Sequence, residues 1–196
     1  MPNWCFNNLT VSMHNESGKK LVQAFRDNHT DEKGEKYASP LTDLCPCPEE
    51  LLDTEASFGN GNPETIAKHE ANKAKYGHAH WYEWRLANWG TKWDVTEVQF
   101  IDENDEYVQI RFDTAWCPPT NFFEWYAEQH PDVVFMNQYD EEGMGFEGYE
   151  CHTPARGFVQ ESWEPVDNRL PEWCDLVDEI PEGQALGQKT WELIPK

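Results

Sequence analysis

The chain has 196 residues, including 10 tryptophans, and a formal net charge of -22. Aromatic residues make up 14% of it, and each large ring buries roughly 150–250 Å², so the chain is expected to fold rather than to remain disordered. No apolar run approaches 18 residues and no signal-peptide pattern opens the sequence, which excludes a predicted transmembrane helix and a secretory leader.

The negative charge is concentrated in the C-terminal half. Residues 94–187 contain 23 Asp and Glu but only three cations, Arg111, Arg156 and Arg169, for a net charge of -20. Such a segment repels nucleic-acid phosphates and anionic membranes, and it attracts basic surfaces. Solubility alone is the alternative explanation for this charge.

The N-terminal part predicts a strand, a helix and a loop. Residues 3–11 predict a strand in which Phe6, Leu9 and Val11 are apolar, and residues 17–28 place apolar side chains on one helical face. Residues 29–40 are polar and predict an exposed loop. The following segment, to about residue 88, predicts an insertion.

Helices dominate the predicted insertion. Residues 48–52 predict a helical turn, and residues 57–63 predict a loop. A polar helix is predicted over 63–76, with proline at its first turn. Another helix at 79–88 is expected to place three apolar side chains near the core: Trp81, Trp84 and Leu86.

A β-hairpin is the clearest pattern in the chain. Residues 95–101 and 107–113 both alternate apolar and polar side chains, and a short polar segment separates them. The apolar positions expected to face the core are Thr96, Val98, Phe100, Val108, Ile110 and Phe112.

The next elements complete a recognisable order. Thr120 is expected to cap a helix that continues through His130, with four side chains facing inward: Phe122, Phe123, Tyr126 and Ala127. Residues 133–139 form a continuous apolar run that is typical of a central strand. The resulting βαββαβ order predicts an α+β, ferredoxin-like core with a helical insertion after the first helix.

Further elements follow the predicted core. Residues 144–151 and 158–163 predict extra strands on the same sheet, and residues 170–180 predict a short helix with Trp173, Leu176 and Val177 inward. We therefore expect one domain over 1–165, with its insertion at about 29–88. An acidic extension over 166–196 is expected to pack on the same domain.

Three short motifs carry a resemblance to a known family. They are Met1-Pro2-Asn3-Trp4-Cys5, Asn88-Trp89-Gly90-Thr91-Lys92-Trp93-Asp94 and Thr114-Ala115-Trp116-Cys117-Pro118-Pro119. Together they resemble the phage and plasmid family that has a YubB-type ferredoxin-like domain, over roughly residues 1–165. The resemblance implies a bacteriophage or mobile-element protein in the bacterial cytoplasm, and it implies no particular chemistry. Cys117 departs from the Ser of the family pattern.

The tryptophan-rich motifs are one candidate site. Stacked indoles beside a lysine could hold a base, a ring or a phosphate, whereas aromatic clusters also serve as core. The predicted ligand-binding residues are Asn88, Trp89, Gly90, Thr91, Lys92, Trp93, Asp94, Thr114 and Trp116.

Clustered carboxylates are the other candidate site. Acidic runs are usually solvated surfaces, and a dense carboxylate face can imitate the phosphate charge of DNA. The predicted partner-binding residues are Asp140, Glu141, Glu142, Glu147 and Glu150.

No metal, cofactor or catalytic motif is predicted. The Cys45/Cys47 and His78/His80 pairs lack zinc-site spacing, and Cys5 and Cys117 have no histidine near them in sequence. The sequence favours an acidic, non-enzymatic protein that binds a basic host or defence protein as a nucleic-acid mimic and does not bind nucleic acid itself. The alternative is a small-ligand or nucleotide-binding module, including an enzyme, centred on residues 88–94.

Overall fold

The computed structural model describes residues 3–27, 29–54, 56 and 62–163. In chain order its strands are β1 (Trp4–Ser12), β2 (His29–Thr30), β3 (Lys36–Tyr37), β4 (Thr96–Glu103), β5 (Tyr107–Ala115), β6 (Phe135–Glu141), β7 (Phe146–Thr153) and β8 (Gly157–Trp163). Its helices are α1 (Glu16–Arg26), α2 (Pro40–Leu44), α3 (Glu49–Leu52), α4 (Pro63–Tyr76), α5 (Trp81–Asn88) and α6 (Thr120–Gln129).

The main sheet confirms the ferredoxin-like prediction. Its strand order is β4-β5-β1-β6-β7-β8, and each neighbouring pair is antiparallel. The path β1-α1-β4-β5-α6-β6 is the predicted βαββαβ unit. Helices α2 to α5 lie in the chain between α1 and β4, and β7 and β8 extend the sheet beyond β6. The exposed segment 29–40 contains the small β2–β3 hairpin.

The core lies between one face of this sheet and helices α1 and α6. The alternation of β1 directs Leu9 and Val11 toward the helices, where they meet Phe25 of α1 and Phe122 of α6. Each such side chain stabilises the fold by roughly 1.5–3 kcal/mol when it is fully buried. All four side chains predicted to face inward from α6 are buried.

The hairpin prediction is confirmed for strand pairing and is wrong for the burial of β4. Val108, Ile110 and Phe112 of β5 are buried, whereas Phe100 is 36% exposed and Thr96 is exposed. The β4 side chains are exposed because β4 lies at one edge of the sheet and its register shifts twice against β5. Of the two hairpin strands, only β5 has a neighbouring strand on both sides.

Two local predictions are also wrong. Leu86 is 39% exposed and α5 has no buried residue, although Trp84 packs against the core. The core contact expected from Leu86 is made instead by Trp89, just beyond the helix. Thr120 is the first residue of α6 rather than its cap, which is Pro119.

Some predictions fall outside the described residues. They are residues 57–61 of the predicted 57–63 loop, the helix at 170–180 and the extension at 166–196. The division into domains stays a prediction.

Candidate functional site

The three sequence motifs meet at one end of the main sheet. The backbone N–H of Trp116 donates to the carbonyl oxygen of Asn3 at 3.0 Å. The hydroxyl of Thr91 donates to the carbonyl oxygen of Ala115 at 2.9 Å, and the rings of Trp4 and Trp93 lie 6.4 Å apart. Segments distant in sequence therefore form one continuous structure.

Trp89 and Gly90 hold this structure together from inside. The Trp89 side chain is fully buried, and its indole N–H donates to the carbonyl oxygen of Cys45 at 2.9 Å. The Trp89 carbonyl accepts from the backbone N–H of Phe122 in the first turn of α6 at 3.3 Å. Gly90 has a φ of +86° and packs against the start of the same helix. These contacts are structural.

The polar side chains at the two ends of the Asn88–Asp94 motif also form hydrogen bonds within the protein. The Asn88 amide donates to the Trp84 carbonyl at 2.8 Å. The Asp94 carboxylate accepts from the backbone N–H groups of Leu41 at 3.2 Å and Thr42 at 2.8 Å, in the first turn of α2. Burial raises the pKa of Asp94, while these hydrogen bonds oppose the rise.

Lys92, Trp93 and Trp116 remain at or near the surface. The Lys92 ammonium lies 4.5 Å from the centroid of Trp93 and 5.5 Å from that of Tyr82. Trp116 is 40% exposed and has a φ of +73°, a left-handed conformation that is strained for a bulky residue. Thr114 is fully buried, and its hydroxyl donates to the carbonyl oxygen of Cys117 at 2.7 Å.

The predicted acidic residues divide into two groups. Asp140 and Glu142 are exposed, and Glu147 is half-buried. Glu141 is 1% exposed because its carboxylate folds back onto the backbone N–H of Gly143, at 3.2 Å. Glu150 is fully buried. Since buried carboxylates cannot touch a protein partner, we leave Glu141 and Glu150 out of any interface.

Glu150 belongs to a buried polar network. Asn137 donates one N–H to Glu150 at 2.9 Å and the other to the amide oxygen of Asn7 at 3.0 Å. Burial raises the pKa of Glu150 to about 7, against the hydrogen bonds from Thr120 and Asn137. Burial also raises the pKa of Cys5, so its thiol is protonated at neutral pH.

A row of side chains crosses the second face of the sheet, opposite α1 and α6. Strand pairing aligns Asp113, Phe6, Asp140 and Glu147 on β5, β1, β6 and β7. The Phe6 side chain is 44% exposed between the two aspartates. Burial and neighbouring carboxylates raise the pKa of both Asp113 and Asp140.

Sequence reasoning did not select Asp113 or Phe6. The signal for Asp113 was the polar half of the strand alternation, because Asp113 alternates with the buried side chains of β5. Phe6 does not follow this alternation, because its apolar side chain lies on the second face, where polar residues are expected.

The described ranges contain neither a metal-binding cluster nor a membrane-spanning helix. Among residues 3–27, 29–54 and 62–163, no three His, Cys, Asp or Glu side chains are grouped so that they could hold a metal ion. The imidazole of His80 instead accepts from the backbone N–H of Glu83 at 3.3 Å, at the start of α5. No described helix is long and apolar enough to cross a membrane.

Comparisons with known proteins agree with the fold. Residues 88–172 match the family model described as a ferredoxin-like domain in Api92-like protein. The uncharacterised protein YubB of Escherichia coli K12 is 26% identical over 107 residues, which cover 53% of this chain and 70% of that protein. These similarities support the resemblance to a YubB-type domain.

A solved structure is also similar. The crystal structure of the protein Api92 from Yersinia pseudotuberculosis aligns with 85% of this chain and 100% of its own, with a TM-score of 0.42 and 10% identity.

Proposed function

We propose that this chain is an acidic, non-enzymatic protein of a phage or mobile element. It binds a basic, nucleic-acid-binding surface of a host or defence protein in the bacterial cytoplasm and imitates a nucleic acid there. The observation that carries the proposal is the row formed by Asp113, Phe6, Asp140 and Glu147, which we call the acidic row.

Within the part of the chain that the structure describes, the carboxylates of the acidic row have no close cationic partner. Among the described residues, no Lys or Arg nitrogen lies within 4.0 Å of its three carboxylates. Neighbouring strands are about 4.8 Å apart, so Asp113 and Asp140 stand roughly 10 Å apart on either side of Phe6. These charges are held by a sheet and are therefore positioned before a partner arrives.

The chemistry of the row suits arginine in particular. A guanidinium can lie over an exposed aromatic ring and donate paired hydrogen bonds to a carboxylate. Phe6 supplies the ring, and Asp113 and Asp140 supply carboxylates on both sides of it. Arginine-rich surfaces that bind phosphates present this chemistry.

The test is a pull-down from bacterial lysate with a variant of the acidic row. Asp113→Asn, Asp140→Asn and Glu147→Gln together remove three charges while they preserve side-chain size. We expect the wild-type chain to retain a basic protein that the triple variant loses. Binding of the purified partner should weaken with salt, because screening acts beyond about 8 Å at physiological ionic strength.

A matched control removes three charges elsewhere. Glu70, Glu124 and Glu128 are exposed on α4 and α6, and their replacement by Gln should leave partner capture unchanged. If both triple variants lost the partner equally, the effect would come from net charge and not from the acidic row. Tight binding of the wild-type chain to free DNA or RNA would rule out the mimic.

A further inference from the structure

Two cations in this acidic chain lie on aromatic rings instead of carboxylates. The guanidinium carbon of Arg85 lies 4.7 Å from the centroid of Trp89 and 5.1 Å from that of Trp81. The ammonium of Lys92 lies near Trp93 and Tyr82, as described above. Within the described part of the chain, neither cation has a carboxylate oxygen within 4.0 Å. Each of these two cations therefore contacts aromatic rings instead of a described carboxylate.

The guanidinium of Arg85 contains a fully buried nitrogen. Its Nε atom is buried and has no acceptor among the described residues. Burial lowers the pKa of Arg85, and Cys47 and Asp94 oppose that effect. A buried donor without an acceptor is destabilising, so an anion that accepted from the Nε–H would remove that cost.

The two cations belong to one aromatic surface. Trp81 and Arg85 are four residues apart and share a face of α5, and the rings of Trp81 and Tyr82 are 5.8 Å apart. Tyr82 in turn lies beside Lys92. Trp81 and Tyr82 are half-buried, so each ring retains solvent-accessible area.

The surface continues toward the meeting point of the three motifs. Trp93 packs against Trp4. Trp116 directly follows Ala115, which is the strand partner of Trp4. The left-handed backbone of Trp116 is held by its bond to Asn3. Strain of this kind persists only where surrounding contacts enforce it, and it is concentrated at functional sites.

We propose that this surface binds a nucleoside phosphate. The planar base stacks on the exposed part of the rings, as bases do on aromatic side chains. The phosphate oxygens accept hydrogen bonds from Lys92 and from the guanidinium of Arg85. A mononucleotide carries only one or two charges, whereas a polymer would be repelled by the acidic body of the chain.

Isothermal titration calorimetry tests this inference. The probes are AMP, GMP, CMP and UMP, with inorganic phosphate and a single-stranded DNA oligonucleotide as alternative sources of the same chemistry. We expect at least one mononucleotide to bind, and Lys92→Met and Arg85→Met to weaken it by about tenfold or more, which corresponds to one charge-assisted hydrogen bond. Trp93→Leu should weaken it as well.

A control variant isolates the local effect from net charge. Lys19 is exposed and pairs with Glu16 on α1, so Lys19→Met removes the same charge elsewhere and should leave binding unchanged. A thermal melt checks whether the Arg85→Met variant folds. If it does not fold, the Lys92→Met variant still tests the site, because Lys92 is only half-buried.

Four outcomes overturn the inference. In the first, no mononucleotide binds at concentrations up to about 5 mM. In the second, a mononucleotide binds but neither Lys92→Met nor Arg85→Met changes its affinity. In the third and fourth, inorganic phosphate binds as tightly as the best mononucleotide, or the oligonucleotide binds more tightly than it. The first three results do not depend on the acidic row, so they test this inference separately from the proposed function. Tight oligonucleotide binding would overturn both.

Discussion

Trp89 and Trp93 occupy different environments although they lie only four positions apart in one motif. Trp89 is fully buried, and Trp93 is half-buried. Loss of a buried indole removes both transfer free energy and packing, so Trp89→Ala should reduce the free energy of unfolding by about 3–5 kcal/mol. Trp93→Ala should cost less than half of that. Urea titrations measure both values, and equal losses would contradict the assigned burial.

Gly90 combines a left-handed backbone with a close approach to α6. A Cβ atom there would lie 3.2 Å from the backbone nitrogen of Thr120 and 3.3 Å from that of Asn121. Gly77 has a similar φ of +78° but no atom within 4 Å of such a Cβ.

The two glycines form a matched pair. The left-handed conformation alone costs a residue with a Cβ roughly 1–2 kcal/mol. Gly77→Ala should show about that loss in a thermal or urea melt, and Gly90→Ala should lose more because α6 must also move. If Gly77→Ala proves the more damaging change, the close packing of residue 90 is wrong.

Glu150 should make stability depend on pH. Its pKa is about 7 in the folded chain and 4.5 in its unperturbed state. The folded state therefore holds a proton more tightly, and stability is full below about pH 4.5 and is lost as pH rises through 7. The size of this loss is on the order of 3 kcal/mol.

The test compares the wild-type chain with Glu150→Gln across this pH range. The variant should be more stable than the wild type at pH 8, and the difference should shrink toward pH 4.5. Urea titrations at several pH values measure this difference. A constant difference would show that Glu150 does not titrate between the two values.

At the scale of elements, a distant residue fixes the start of α2. Helix α2 has five residues, and neither its N-cap Ser39 nor α3's N-cap Pro48 supplies a side-chain cap. Asp94 supplies it from across the fold, through Leu41 and Thr42. This long-range cap ties the insertion to the start of β4.

Replacement of Asp94 should therefore loosen α2 first. Loss of a cap costs about 0.5–2 kcal/mol, so Asp94→Ala should lower the free energy of unfolding by about that amount. Amide hydrogen exchange should accelerate in residues 41–45 before it does in β1. A variant in which exchange rises equally everywhere would contradict a local capping role.

Element-level patterns also show where sequence reasoning succeeded. The inward face of α6 and the buried face of β5 followed from periods of 3.6 and 2 residues. The same alternation failed for β4, because period alone does not show whether a strand lies at the edge of a sheet.

For the whole molecule, the net charge of -22 opposes compaction. Like charges repel more strongly in the folded state, where they lie closer together, and added salt screens that repulsion. The midpoint of urea unfolding should therefore rise between about 0.05 and 0.5 M NaCl. An unchanged or lower midpoint would show that charge repulsion is minor. The triple variant of the acidic row should show a smaller salt effect than the wild type.

The sequence by itself determined the order of elements, the ferredoxin-like plan and the acidic character, because these follow from local periodicity and composition. It also selected the three motifs that meet in the structure. Local pattern could not show that they meet, since the contacts join residue 3 to 116, 91 to 115 and 89 to 122.

Tertiary structure alone decided which candidate residues reach the surface. Glu141 and Glu150 have the same side chain as Glu142, but the β6–β7 turn and the polar network around Asn137 enclose the first two. Strand register placed Asp113 and Asp140 on either side of Phe6, and no property of the three residues taken singly implies that alignment. Burial and alignment arise from pairing between distant segments, so they became visible only with the fold.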